Sequence, residues 1–75
     1  MVKFTFIFKP QFTPVMLEWV NTFQLGTRMW SQSGNQCLSV DVSSDYANSR
    51  FTEIVESFRD ITKDGIWHRV TGPRP

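Results

Sequence analysis

Val2-Lys3-Phe4-Thr5-Phe6-Ile7-Phe8 alternates strictly, with Val2 and three phenylalanines on one side of an extended chain and Lys3, Thr5 and Ile7 on the other. This two-residue period predicts a β-strand whose aromatic face is buried. A strand cannot bury a face alone, so the residues on either side of it must supply the rest of the core. Lys9-Pro10-Gln11 breaks the pattern. Phe12-Thr13-Pro14 then reads as a helix entrance, with Thr13 as N-cap, Pro14 in the first turn and Phe12 stapling onto Leu17. Val15, Met16, Trp19, Val20 and Phe23 recur at helical spacing, and a helix to about Leu25 is expected, with Gly26 as the residue after its end.

Thr27–Gln32 and Gln36–Ser43 are extended stretches around Ser33-Gly34-Asn35, in which Gly34 or Asn35 can take positive φ, so a hairpin is expected. Leu38, Val40 and Val42 alternate with Cys37, Ser39 and Asp41, which defines the buried face of the second stretch. Ser43-Ser44-Asp45 leads into a second helix, its start capped by Asp45, Asn48 or Ser49. Phe51, Ile54, Val55, Phe58 and Ile61 form its apolar face. Glu56 with Arg59 and Asp60 with Lys63 are spaced as ion pairs on its outer side. Asp64-Gly65 ends that helix. Ile66–Thr71 reads as a last strand with Ile66, His68 and Val70 beneath the helices and Trp67 and Arg69 on the opposite face.

The order strand, helix, strand, strand, helix, strand defines an α+β domain of the ferredoxin-like split βαββαβ kind. It predicts a four-stranded antiparallel sheet with both helices on one face, spanning 1–71, and a flexible tail at 72–75. Phe12, Thr13, Val15, Met16, Trp19 and Gly26 echo Phe51, Thr52, Ile54, Val55, Phe58 and Gly65 at a constant offset. An internal duplication gives such an echo, and so do any two helices packed on one sheet.

With 75 residues the chain has room for one small core. Hydrophobic residues make up 40% and include seven Phe and three Trp, a globular composition. A net charge near +1 offers little phosphate neutralisation, so nucleic acid is the weaker partner class. The apolar start is short and interrupted by Lys3 and Thr5, which predicts no membrane span and no signal peptide. One cysteine, Cys37, cannot pair internally and suits a reducing compartment. The expected location is the cytoplasm, or the host cytoplasm if the chain is virus-encoded.

One Cys and one His do not make a metal set, no cofactor is implied, and no carboxylate has a tuning partner, so no enzyme is expected. His68, placed in phase with Ile66 and Val70, reads as a partly buried imidazole. The sheet face without helices must meet water or a partner. Trp30 and Trp67 with Arg28 and Arg69, joined by Lys3 and Ile7, are the binding residues expected there, since Trp and Arg dominate interface hot spots. The expected function is a small protein-binding module, a regulator or inhibitor of a larger macromolecular machine of the sort phages and mobile elements encode. It would act on a protein partner through the open face, or as a homodimer. The alternative is a single-stranded nucleic-acid-binding domain of RNA-recognition-like topology. Against that alternative, the platform positions Lys3, Thr5, Ile7, Cys37, Ser39 and Asp41 lack aromatics, and Asp41 repels phosphate.

Overall fold

The computed structural model describes residues 1–71, so the tail expected at 72–75 lies outside the described residues. The chain builds one small α+β domain around strand β1 (Val2–Phe8), which pairs antiparallel with β3 (Asn35–Val42) on one side and β4 (Ile66–Thr71) on the other. β2 (Gly26–Gln32) pairs antiparallel with β3, giving a four-stranded sheet in the order β2-β3-β1-β4. The alternation of β1 is realised as expected: Val2, Phe4, Phe6 and Phe8 are buried under the helices, and Lys3, Thr5 and Ile7 point the other way.

Helices α1 (Thr13–Val20), α2 (Ser44–Ser49) and α3 (Phe51–Thr62) complete the fold, with a 3-10 turn at Pro10–Phe12 leading into α1. Both longer helices reach the same strand residue. The Phe6 ring lies 4.7 Å from Phe58 of α3 and 5.5 Å from Trp19 of α1, centroid to centroid. Met16, Val20, Ile54 and Phe58 close the core over Leu38, Val40 and Val42. Met16 and Val20 therefore correspond to Ile54 and Phe58, one residue out of phase with the echo seen in the sequence.

The helix boundaries depart from expectation for local reasons. Thr13 is not a cap. The 3-10 turn places Phe12 before α1 without a side-chain cap, and the Thr13 Oγ1 is buried with no hydrogen-bond partner among the described residues. α1 stops at Val20, and the chain turns through 21–24 before β2. The second helical region is two helices. Ser43 caps α2 by accepting from the Tyr46 N–H at 3.2 Å, and Arg50, with φ −124° and ψ 23°, breaks the helix before α3. Asp45, Asn48 and Ser49 lie inside α2 and not at its start. Among the described residues the one side-chain ion pair is Arg50–Glu53 at 3.5 Å, exposed and worth little; the pairs expected at Glu56–Arg59 and Asp60–Lys63 do not form.

Two turns set the strand registers. In the β2–β3 hairpin Ser33 (φ 52°) and Gly34 (φ 80°), and not Asn35, take the positive values that a two-residue hairpin loop requires. After α3, Lys63 adopts φ 66° and ψ −59° while the Asp64 N–H donates to the Thr62 carbonyl at 2.7 Å, a γ-turn that holds a non-glycine residue in a strained conformation. Gly65 follows it at ordinary φ. Its role is space, since a Cβ there would collide with the Phe58 ring.

Candidate functional site

Among the described residues no helix covers the second face of the sheet, and strand register arranges its side chains in three rows. Trp30, Cys37, Ile7 and Ile66 lie opposite one another across all four strands, forming an apolar row. Arg28, Ser39, Thr5 and His68 form a polar row beside it. Asp41, Lys3 and Val70 form the third, with Gly26 at its β2 end.

Burial across these rows falls from the centre outwards. Cys37 is 2% exposed although no layer covers it, because it sits mid-sheet between Ile7 and Trp30. Trp30, Ile66 and Val70, on the two edge strands, are 38%, 56% and 58% exposed. Trp30 and Ile66 end one row at opposite edges of the sheet, and Val70 stands two rows away on β4. The Arg28 guanidinium stands 5.9 Å from the Trp30 ring centroid, a cation–π contact that ties the charge to the aromatic. The Gln36 amide donates to the Trp30 carbonyl at 3.0 Å. A shallow depression lies beside Ile7 and Ile66 at the β1–β4 end of the apolar row, with Lys9, Asn35 and Asp64 in its lining.

Of the expected binding residues, Lys3, Ile7, Arg28 and Trp30 share this face. Trp67 and Arg69 do not. β1 pairs Phe6 with Trp67 and Phe4 with Arg69, so both residues lie on the helix side of the sheet. Trp67 packs edge-on against Phe51 at 5.4 Å and lies 6.5 Å from Phe4. Arg69 lays its guanidinium 5.1 Å from the Phe51 ring centroid and donates from Nη2 to Asn48 Oδ1 at 2.6 Å. Ile66, His68 and Val70 stand instead on the open face, where His68 is exposed and not buried beneath the helices. Ile66 and Val70 are the residues that sequence reasoning missed. The signal that could have found them is the aromatic pairing of Trp67 with the phenylalanine face of β1, since aromatic pairs across strands are favourable.

Cys37 and His68 stand in different rows, on strands separated by β1, and so form no nucleophile–base pair. Among the described residues no three His, Cys, Asp or Glu side chains are grouped to hold a metal ion, and no helix is long and apolar enough to cross a membrane. No protein-family model, curated protein or solved structure matches the chain.

Proposed function

We propose that this chain is a non-enzymatic protein-binding module that docks through its open sheet face, within a ferredoxin-like split βαββαβ fold. The strand order, read from its other edge as β4-β1-β3-β2, supports the fold assignment. The observation that carries the function is the apolar row Trp30–Cys37–Ile7–Ile66, buried at its centre and exposed at both ends. A flat apolar strip edged by Arg28, His68, Lys3 and Asp41 has the make-up of a protein interface, with an apolar centre and a polar rim. A small regulator or inhibitor of a larger assembly is the class such a module belongs to. Cytoplasmic residence is part of the proposal, supported by the free thiol of Cys37.

Stacking of nucleic-acid bases is less well supported. The central strands present Thr5, Ile7, Cys37 and Ser39 where stacking aromatics would stand, and Asp41 adds negative charge. Site-specific photocrosslinking in the native cell separates the two readings. A crosslinking residue at position 68, on the open face, is expected to give protein adducts, and one at position 59, on the exposed side of α3, is not. Nuclease-sensitive adducts from position 68, or equal adducts from both positions, would contradict the proposal.

A further inference from the structure

We propose that the occupant of the open face is a second copy of this chain, packed face to face about a two-fold axis running parallel to the strands between β1 and β3. The inference rests on the protein-binding reading above and names its partner. An axis in that direction keeps each row in place and exchanges strands, so that β1 lies over β3 of the second copy and β2 over its β4. Trp30 then covers Ile66 of the second copy, and Ile7 covers its Cys37. Lys3 meets Asp41 of the second copy, and Asp41 meets its Lys3, giving two opposite-charge contacts from one pair of residues. Thr5 meets Ser39, hydroxyl to hydroxyl, and Arg28 lies over His68 of the second copy, a contact that adds no opposite-charge pair. Val70, the most exposed apolar residue of the face, falls over Gly26, which has no side chain to oppose it.

The alternative axis, across the strands, exchanges the outer rows. It sets Ile66 on Val70, but also Ile7 on Lys3 and Cys37 on Asp41, apolar groups against charges, and Arg28 on Arg28 of the second copy, so the register of the sheet favours the first arrangement. Contacts made twice by the same patch are what a two-fold interface requires, and twisted sheets pack face to face at a small angle compatible with this axis. Four strands about 4.8 Å apart and about 23 Å long give a face of roughly 440 Å² per copy. The total of about 900 Å² falls below the range of about 1,200–2,000 Å² typical of stable complexes. The dimer is therefore a weak one that forms and dissociates with concentration.

Analytical ultracentrifugation over a wide concentration range is the test. The wild-type chain is expected to show a monomer–dimer equilibrium, and Lys3→Glu and Asp41→Lys are each expected to weaken it by at least about tenfold, because each sets like charges face to face twice. An equal mixture of the two variants is expected to recover association to within about threefold of wild type. In the mixed dimer the carboxylate introduced at position 3 of one chain meets the ammonium introduced at position 41 of the other, while each chain keeps its own mismatch between adjacent strands. Ile66→Asp, at an exposed edge position, guards against a folding failure in the charge variants; it is expected to stay folded by circular dichroism and to lose the dimer. A wild-type chain that is monomeric throughout, a dimer indifferent to these substitutions, or a mixture no better than its components would overturn the inference. A monomer that still crosslinks other proteins from position 68 overturns this inference alone, whereas a monomer with no protein adducts overturns the protein-binding reading as well.

Discussion

The two faces of β1 share one backbone and one set of strand partners, yet they differ sharply in burial. On the helix side Phe4 and Phe6 are completely buried, stacked with centroids 5.8 Å apart and met by Trp19, Phe51, Phe58 and Trp67. On the other side Ile7 is half-buried, covered only by neighbours in its own layer. The helix side gains stability from aromatic packing, each pair adding about 0.5–1.5 kcal/mol beyond area burial. The open side leaves Trp30, Ile66 and Val70 partly in water, apolar burial that remains to be gained on association. On the proposed reading, stability and recognition are divided between the two sides of a single sheet.

The largest effect expected from breaking this division is at Phe58, fully buried against Phe6. Phe58→Ala removes the link between α3 and β1 and is expected to cost about 3–5 kcal/mol, enough to unfold a domain of this size. A well-dispersed NMR spectrum from that variant would put the core elsewhere. Trp67→Ala sharpens the contrast, because the half-buried indole packs on the covered face. It is expected to cost about 2 kcal/mol, the cost falling below that of a fully buried tryptophan, while Trp30→Ala costs less; thermal melts of the two variants in the opposite order would reverse the assignment of the faces. The smallest effect has the opposite sign. Lys63→Gly relieves the γ-turn that sets the register of β4, and it is expected to raise stability by about 1 kcal/mol, the strain released less the added freedom of glycine in the unfolded chain. A denaturation midpoint unchanged or lowered by that substitution would show that the turn stores no strain.

Much of this division was legible in the sequence, because β1 and β3 alternate cleanly and α3 carries an apolar stripe. The phase of β4 was not. Ile66 and Val70 on one side and Trp67 on the other give an edge strand with apolar groups on both faces, so no alternation distinguishes them, and a slip of one residue exchanges every side chain. What fixes the phase is remote from the strand. The γ-turn at Lys63 and the close approach of Gly65 to Phe58 deliver the chain so that Trp67, and not Ile66, meets Phe51. Arg69 compounds the difficulty, since a guanidinium expected at a rim instead caps the Phe51 ring and holds Asn48 of α2. The start of α2 is obscured for a different reason: Asp45, Asn48 and Ser49 all suit a cap, and Ser43, the actual cap, equally suits the end of the preceding strand.

The central claim is that the open face is where this protein meets a second copy of itself, and methyl-labelled NMR spectra recorded across a dilution series test it most directly. The account predicts that resonances of Ile7, Ile66 and Val70 move with concentration while those of Val2, Val40, Val42 and Ile54 stay fixed. Shifts confined to the helices or the β2 edge, or none at any concentration, would contradict it.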